Sequence, residues 1–460
     1  MAGILYVANT LCRQYIVSPI HHLNCLPMSD IAAKLTGALQ SALQRYPVSG
    51  QRWLGFSGGL DSTVLLHLLA KADVPFTALH INHGLSARAA SWQASCAALA
   101  DRLGVAFVAR SVDVDRADGG LEQGARHARY RAFERVMGPG DQILLAHHAD
   151  DQAETFLLRL LRGAGVLGLG GMPEWRPLGH ERDGKSLLRP LMAASRAELE
   201  TYARAQGLPW IEDESNADLS IDRNYLRSQV LPPLAQRWPV HARIARATEN
   251  LRDAAALLGE LAEQDLQTCD CRREAFGQSV DLAPFAKLSG ARRKNALRGW
   301  LQQVGAGMPE AAQLEQALQQ VGADDDAVPA VSLGERVLRR YRDRLYLTPQ
   351  LQPLDAIDGG EIRWDGSSQL ALPGHWGLLP SAQWPVADYR VRFRIGGERA
   401  KPRERHHSQT LKKLLQEYAL PPWLRDRVPL IYRAQELVAV GDLFVTADGP
   451  AKPPIWRFLD

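Results

Sequence analysis

Residues 53–66 read Trp-Leu-Gly-Phe-Ser-Gly-Gly-Leu-Asp-Ser-Thr-Val-Leu-Leu, and this stretch decides the fold of the N-terminal half of the chain. Its first four residues are mostly apolar, which predicts a short buried parallel strand. The two glycines that follow permit positive φ and a close approach of backbone to a ligand. The apolar run 63–71 has no breaker and predicts a helix. The unpaired N–H groups at the start of that helix favour an anion.

The turn between strand and helix, which we call the glycine loop (Ser57–Ser62), reads Ser-Gly-Gly-Leu-Asp-Ser. It is neither a Walker loop nor a dinucleotide fingerprint, because Gly-Lys-Ser/Thr and G-x-G-x-x-G are both absent. A βα turn with serine caps is the plainer interpretation. The loop resembles the pyrophosphate loop of N-type ATP pyrophosphatases, which cleave ATP to AMP and pyrophosphate. The resemblance implies that Ser57, Gly58, Gly59, Leu60, Asp61 and Ser62 bind ATP. Asp61 repels phosphate unless a cation lies between them, which predicts a catalytic metal ligand.

Composition places the chain among ordinary globular proteins. The 460 residues, 46% hydrophobic and 23% charged, predict two or three domains. The five cysteines fit no disulfide framework, so we expect the reducing cytosol. No apolar run reaches the length of a membrane span, so no membrane partner is expected. The sequence leaves the oligomeric state open, a homodimer included.

Strands alternate with helices of ten or more residues after the glycine loop. Strands are predicted at 76–83, 105–112 and 142–146, and helices at 87–103, 121–137 and 151–162. This order predicts an α/β fold, a doubly wound parallel sheet, followed by a helical domain and a small α+β C-terminal domain. Polar clusters follow the strands at 57–62, 80–86 and 147–154. We expect them to meet in one cleft beyond the carboxyl ends of the strands.

Two of these clusters supply further candidate ligands. His80, Asn82 and His83 end the second strand, where an adenine or ribose can be met, although an ordinary polar loop explains them equally well. Asp151 and Glu154 lie three residues apart at a helix start, with Asp150 beside them. Such carboxylates bind Mg²⁺ through water or hold an ammonium group. Acids that complement the helix dipole are the alternative, and the spacing disfavours a zinc site.

The remainder of the chain is predicted in four further parts. Besides the catalytic domain (28–238), these are an N-terminal extension (1–27), a helical connector (239–348), a linker with short strands (349–388) and a basic C-terminal domain (389–460). Met28 precedes a helical pattern and is a candidate functional start, with a peripheral extension as the alternative. Ser195 and Glu198 form a capping-box pattern. The glycine-rich stretch 163–171 predicts a mobile or ligand-wrapping loop.

The C-terminal region is the basic pole of the chain. Residues 390–427 hold eleven Lys/Arg and four Asp/Glu, a surplus of seven, whereas the whole chain has a net charge of +3. Arg390, Arg392 and Arg394 alternate with apolar residues, which predicts one arginine-bearing strand face. A basic cluster of this kind suits a phosphate backbone. A solvated basic surface is the alternative.

Together these residues resemble the tRNA(Ile)-lysidine synthetase family. The resemblance extends from about Met28 to about Asp448 and depends on motifs outside the glycine loop as well. These are His80–Leu85, His147–Thr155, Arg162-Gly163, Glu212–Asn216, Arg223–Arg227, Gly396–Arg399, Leu411–Leu414 and Pro421–Asp426.

The resemblance implies an ATP-dependent ligation with Mg²⁺ in the cytoplasm. ATP adenylates the C2 oxygen of the wobble cytidine of isoleucine tRNA with a CAU anticodon, and the ε-amine of free L-lysine then displaces AMP to give lysidine. Codon reading then moves from AUG to AUA. Asp61, Asp151 and Glu154 would be catalytic, and Asp150, Asp151 and Glu154 would bind lysine or metal. The implied phosphate or tRNA contacts are Arg126, Arg223, Arg227, Arg392, Arg394, Arg399, Arg403, Lys412 and Lys413.

Two alternatives remain at this point. Another pyrophosphate-loop enzyme, such as a tRNA thiolase or an amidotransferase-type synthetase, would need paired or nucleophilic cysteines that the sequence does not place. A non-catalytic RNA-binding protein leaves the intact glycine loop unexplained.

Overall fold

The computed structural model describes residues 28–114, 121–179, 183–321, 329–351 and 361–459. The proposed extension 1–27 lies outside them. The chain divides into two compact units, one ending at Ala255 and the other beginning at Ala256. This division falls within a long helix, and the predicted domain boundaries stay predictions.

The first unit contains a six-stranded sheet in the order β3-β2-β1-β4-β6-β5. The strands are β1 (Arg52–Gly55), β2 (Thr77–Asn82), β3 (Ala106–Ser111), β4 (Gln142–Leu144), β5 (Trp175–Pro177) and β6 (Ser186–Leu188). All neighbours pair in parallel except β5, which runs antiparallel to β6 at the edge. The predicted parallel sheet is therefore confirmed, with one antiparallel edge strand added.

Helices and helical turns connect and cover these strands. They are α1 (Met28–Arg45), α2 (Leu60–Lys71), α3 (Ala89–Arg102), α4 (Leu121–Val136), α5 (Ala149–Leu161), α6 (Val166–Leu169), α7 (Arg196–Ala205), α8 (Asp222–Tyr225), α9 (Leu231–Arg237) and α10 (Val240–Thr268). The short helix α6 occupies part of the glycine-rich stretch that was predicted to be a loop. The predicted capping box is confirmed, because Ser195 Oγ accepts from Glu198 N and the Glu198 carboxylate accepts from Ser195 N.

The apolar pattern of the sequence explains how this unit packs. Ile31, Leu35 and Leu39 recur along one face of α1 and are buried against α2 and α7. Eight of the twelve residues of α2 are buried, so the helix that follows the glycine loop is fixed in the core. The loop at its start is therefore held on a rigid support.

A π-helical turn (Leu226–Val230) joins α8 to α9 without a break. Pro232 and Pro233 open α9, and proline has no N–H to donate back along a helix. The missing donors explain why the regular hydrogen-bond pattern is lost just before them. Turns of this kind occur often at functional sites.

The second unit is built from antiparallel sheets and shorter helices. Its strands are β7 (Arg272–Glu274), β8 (Gly277–Asp281), β9 (Ala330–Leu333), β10 (Arg336–Tyr341), β11 (Arg344–Pro349), β12 (Ile362–Trp364), β13 (Leu370–Leu372), β14 (Trp376–Leu379), β15 (Tyr389–Arg392), β16 (Arg399–Ala400), β17 (Gln409–Thr410), β18 (Leu430–Arg433), β19 (Glu436–Val440), β20 (Phe444–Val445) and β21 (Ile455–Phe458). Its helices are α11 (Leu282–Lys287), α12 (Gly290–Gln303), α13 (Ala311–Val321) and α14 (Leu411–Glu417).

Two differences from the sequence predictions stand out in this unit. The hairpin β7–β8 interrupts a region that was predicted to be helical throughout, and it joins the sheet β7-β8-β11-β10-β9. Strand β15 ends at Arg392, so Arg394 lies beyond the predicted arginine-bearing face. Among the helices of the described residues, none combines the length and apolarity that a membrane span requires.

Candidate active site

The glycine loop lies between β1 and α2, as the sequence predicts. Gly58 has φ +83°, a conformation that glycine adopts without strain. An added Cβ at Gly58 would lie 2.6 Å from Cys96 Sγ and 2.7 Å from Ile211 Cδ1. Ile211 N also donates to Gly58 O at 2.9 Å. The loop is thus packed from behind, and only glycine fits its first turn.

The two serines hold the loop closed on itself. Ser57 Oγ and Ser62 Oγ lie 3.1 Å apart, and Ser57 Oγ accepts from Gly59 N at 3.3 Å. The helix α2 begins at Leu60 with no side chain capping its first N–H groups. These groups and the serine hydroxyls form a cradle for an anion, as expected from a loop that carries pyrophosphate.

The second-strand residues mainly support this loop. His80 is buried and its Nδ1 lies 2.9 Å from Phe56 O, which makes Nδ1 the protonated nitrogen. Asn82 donates from Nδ2 to Gln93 Oε1 of α3 and accepts from Gly84 N in the loop that follows it. Burial and the Arg129 charge lower the pKa of His83. ATP binding by His80, Asn82 and His83 stays a prediction.

A buried imidazole, His148, joins three carboxylates at the centre of the cleft. Its ring nitrogens lie 3.6 Å from Asp61, 3.5 Å from Asp150 and 3.4 Å from Asp151. Burial opposes protonation of His148, but Asp150, Asp61 and Asp151 outweigh it and raise its pKa to about 10. The histidine is therefore an imidazolium at neutral pH. We call these four residues the His148 cluster.

Within the His148 cluster, the side chains of Asp61 and Asp150 are more exposed than that of Asp151. Burial would raise the pKa of Asp61, but the hydrogen bond and charge of His148, followed by Arg196, lower it. The Asp61 side chain keeps 27% of its surface exposed. The pKa of Asp150 is likewise held well below its usual range, against burial, by His148 and His241. Both groups are ionised and suited to a cation.

The residues Arg196 and His241 complete the cluster and were missed by the sequence reasoning. Arg196 opens α7 directly after the Ser195 cap, donates from Nη1 to Asp61 at 3.2 Å and from N to Asp150 at 2.9 Å. His241 Nε2 lies 3.3 Å from Asp150 Oδ1. The capping box was a signal for the position of Arg196, whereas no local pattern in the sequence marks His241.

Glu154 is fully buried and belongs to a second group. Arg223 Nε and Arg227 Nε each donate to it at 2.6 Å, one to each oxygen. Arg223 Nη2 also donates to Asp151 Oδ1 at 2.9 Å. The two arginines lie four residues apart, and the π-helical turn follows directly after Arg223-Asn224-Tyr225. We call Glu154, Arg223 and Arg227 the arginine clamp.

The arginine clamp bears on the predicted roles of all three residues. Both oxygens of Glu154 accept from arginine, so Glu154 offers no free oxygen to a lysine or a metal while the clamp is formed. Asp151 Oδ2 accepts from His148 N at 3.0 Å, and its Oδ1 faces the clamp. The predicted roles of Asp151 and Glu154 in binding lysine or metal stay predictions, as do the phosphate or tRNA contacts of Arg223 and Arg227.

More basic residues lie near the cleft around Tyr130. The guanidiniums of Arg126, Arg129 and Arg176 lie 5.0 Å, 5.9 Å and 5.2 Å from the centre of its ring. Burial alone would raise the pKa of the Tyr130 hydroxyl, but the positive charges of the neighbouring arginines outweigh burial and lower it. The predicted contact Arg126 is thus part of a positively charged group beside the cleft.

In the C-terminal domain several predicted tRNA contacts are paired with acids. Arg392 pairs with Glu361, and Arg394 Nη1 lies 3.1 Å from Asp426. Arg399, Arg403, Lys412 and Lys413 are exposed, and within the described part of the chain none of these four is in ion-pair contact with a carboxylate. Arg399 and Arg403 donate to backbone oxygens.

Protein-family models match three parts of the chain. A PP-loop domain matches residues 29–234, a TilS substrate binding domain residues 281–346, and a TilS substrate C-terminal domain residues 389–458. The tRNA(Ile)-lysidine synthase of Pseudomonas fluorescens (strain Pf0-1) is 43% identical over 429 residues, covering 91% of this chain and 94% of that protein. The chain belongs to the tRNA(Ile)-lysidine synthase family.

Other relatives agree with this membership. The tRNA(Ile)-lysidine synthase of Coxiella burnetii (strain RSA 493 / Nine Mile phase I) is 40% identical, covering 88% of this chain and 91% of that protein. Among solved structures, a U34-tRNA thiolase from Methanococcus maripaludis is similar over 49% of this chain and 79% of its own, with 16% identity and a TM-score of 0.39. The identity to the two named synthases and the three family models confirm the family resemblance drawn from the sequence.

Proposed function

We propose that this enzyme ligates L-lysine to C2 of the wobble cytidine of isoleucine tRNA with a CAU anticodon, giving lysidine. ATP adenylates the base, with release of pyrophosphate and then AMP. The observation that supports this best is the juxtaposition of the glycine loop with the His148 cluster, through Asp61, in a chain of the tRNA(Ile)-lysidine synthase family.

In the first step the glycine loop receives the β- and γ-phosphates of ATP. The N–H groups at the start of α2 and the hydroxyls of Ser57 and Ser62 offer donors for charge that develops as pyrophosphate leaves. The C2 oxygen of cytidine forms a bond to the α-phosphorus, and the bond between the α-phosphorus and the α,β-bridging oxygen breaks, so that pyrophosphate leaves with that oxygen. Adenylation turns a poor leaving oxygen into AMP.

Asp61 suits a magnesium ion at this loop. Its carboxylate is ionised and partly exposed. Magnesium commonly takes one or two protein carboxylates with phosphate oxygens and water as its other ligands, so a single aspartate suffices. When bound, Mg²⁺ would screen the phosphate charge.

In the second step the amine of lysine attacks C2, and the bond to AMP breaks. Asp150 and Asp151 offer ionised carboxylates at the cleft, where they can hold the ε-ammonium before it loses a proton. Because their pKa values are lowered, they are weak bases and serve to bind and orient the cation. The arginine clamp supports Asp151 from behind and keeps Glu154 in place.

Basic residues are proposed to hold the RNA. Arg126 in the cleft and Arg399, Arg403, Lys412 and Lys413 in the C-terminal domain are suited to phosphate contact, since such contacts position a nucleic acid without reading its sequence. Arg392 and Arg394 are proposed as tRNA contacts of secondary weight, because each already has an acidic partner. Cytosolic location and a homodimer remain proposals.

The deciding experiment is nucleoside mass spectrometry on CAU-anticodon tRNA after incubation with ATP and isotopically labelled lysine. We expect a labelled lysidine nucleoside that depends on ATP and on the protein. Isoleucine tRNA with a GAU anticodon is the matched control and should stay unmodified. Absence of tRNA-dependent AMP release with lysine present would contradict the proposal.

A further inference from the structure

The segment 223–248 carries an unusual charge. It contains five arginines and one histidine, and no Asp or Glu. Arg223 and Arg227 belong to the arginine clamp. The other three, Arg237, Arg243 and Arg246, are exposed, and no carboxylate of the residues described in the structure lies within ion-pair distance of them. This part of the surface therefore carries positive charge that the protein does not neutralise itself.

An open apolar depression lies on this segment. It has a volume of about 340 Å³ and is lined by Trp238, Val240, Arg243, Ile244 and Ala247. Trp238 is 43% exposed, which is high for so large an apolar side chain. The guanidinium of Arg237 lies 5.4 Å from the centre of its indole ring. An exposed indole beside unpaired arginines combines a stacking surface with cations for phosphate.

The depression borders the active-site cleft. His241, which lies between two of its lining residues on α10, is 3.3 Å from Asp150 in the His148 cluster. Ile244 forms a small core with Ala153 of α5, one residue before Glu154. Val240 and His241 are adjacent in the first turn of α10, so a single turn, which rises about 5.4 Å, carries both a lining residue of the depression and a partner of Asp150.

We propose that this depression receives an unstacked base of the anticodon loop, the adenine that follows the wobble cytidine. The inference rests on the proposed function, which requires the cytidine to leave its stack and enter the cleft. Removing one base from a stack leaves its neighbour without a partner, and single-stranded bases commonly stack on aromatic side chains. Trp238 takes that position here, while Arg243 and Arg237 contact the adjoining phosphates.

The test uses full-length CAU-anticodon tRNA with 2-aminopurine in place of that adenine, because 2-aminopurine fluorescence falls on stacking. Bound to the wild-type protein, the RNA should be quenched. Trp238→Leu keeps an apolar side chain but removes the ring, so fluorescence should rise on binding and the Kd for tRNA should increase about tenfold. Trp238→Phe keeps a ring and should retain most of the quenching.

Two variants separate the stacking from general effects. Leu257→Ala removes an exposed apolar side chain from α10, outside the depression, and should change neither fluorescence nor Kd. Arg243→Gln should lower the slope of log Kd against log salt by about one, with quenching retained. Circular dichroism melting confirms that each variant is folded.

Equal fluorescence and equal Kd for wild type and Trp238→Leu would overturn the proposal. That result would also be expected if the depression served a protein partner. Lysidine formation by the wild type is measured in parallel on unlabelled tRNA. If lysidine forms while the fluorescence does not respond to Trp238, only the base site is wrong. If no lysidine forms, the proposed function itself is wrong.

Discussion

Arg223 and Arg227 of the cleft donate to the buried carboxylate of Glu154, whereas Lys412 and Lys413 of the C-terminal domain extend into solvent. The first pair is fixed in one geometry, because a buried ion pair that loses a partner is left with an uncompensated charge. The second pair is free to meet a polyanion and is screened by salt. Basic residues in one chain thus occur in two settings, paired with a buried carboxylate in the cleft and exposed without an ion pair among the described residues of the C-terminal domain.

Among substitutions in the cleft, we expect Asp61→Asn to reduce activity most. It keeps the size of the side chain but removes the charge that faces His148 and Arg196. Lysidine formation should fall at least about 1,000-fold, as when a principal electrostatic contact to a transition state is lost. The Kd for tRNA, measured by filter binding, should stay within about twofold. Loss of RNA binding with ATP turnover intact would contradict the assigned role.

Gly58→Ala should have the next largest effect. Alanine at φ +83° is strained, and its Cβ would collide with Cys96 and Ile211. We expect a loss of about 2 kcal/mol in the free energy of unfolding and a sharp rise in the KM for ATP. Gly59→Ala is a matched control for stability, because φ at Gly59 is −71° and the nearest atom to an added Cβ is 3.5 Å away. Equal melting temperatures for the two variants would contradict this account.

Glu154→Gln tests whether the arginine clamp is a support or a ligand. The neutral amide removes the fully buried charge that both guanidiniums share and leaves them only the Asp151 carboxylate among the described residues, so the free energy of unfolding should fall by about 3 kcal/mol. Activity should also fall, because the arginines that contact Asp151 are no longer held in place by the Glu154 carboxylate. Chemical denaturation gives the first quantity, and initial rates over a range of lysine concentrations give the second. A raised KM for lysine at unchanged stability would instead show that Glu154 binds the substrate directly.

Substitutions in the C-terminal domain should give the smallest effects and sharpen the other side of the comparison. The double variant Lys412→Gln/Lys413→Gln should weaken tRNA binding and lower its salt slope by about two, if each lysine contacts one phosphate. Arg394→Gln should lower stability slightly and leave the salt slope nearly unchanged, because Arg394 is occupied by Asp426 and Glu398. Equal salt slopes for the two variants would show that the pairing does not matter.

Structural features that depend on residues close together in the sequence were predictable. The glycine loop, the helix after it and the Ser195 capping box each depend on the spacing within about ten residues. The parallel sheet and the approach of loops 57–62 and 147–154 to one another were predicted from the alternation of strands and helices. The antiparallel strand β5 was missed because it has only three residues and ends in Pro177, a poor strand former.

Long-range partners could not be predicted from local patterns. Arg196 contacts Asp61 although 135 positions separate them, and the approach of His241 to Asp150 depends on where α10 lies. The charge count at 390–427 overestimated the free basic surface, because Glu361 lies outside the counted window and pairs with Arg390 and Arg392. The hairpin β7–β8 was hidden by its polar residues Arg272, Arg273 and Glu274, which carry no strand pattern.

The π-helical turn at Leu226–Val230 sets the rotation of α9 and the chain after it relative to Arg223 of the arginine clamp. A π turn contains about one residue more per turn than an α-helix, so deleting one residue there would restore a regular helix. Each residue of an α-helix advances the chain by 1.5 Å and about 100°. The deletion would leave Arg223 in place and rotate everything from α9 onward, carrying His241 away from Asp150. The extra residue of the π turn thus determines the angle at which α9 and α10 leave the arginine clamp.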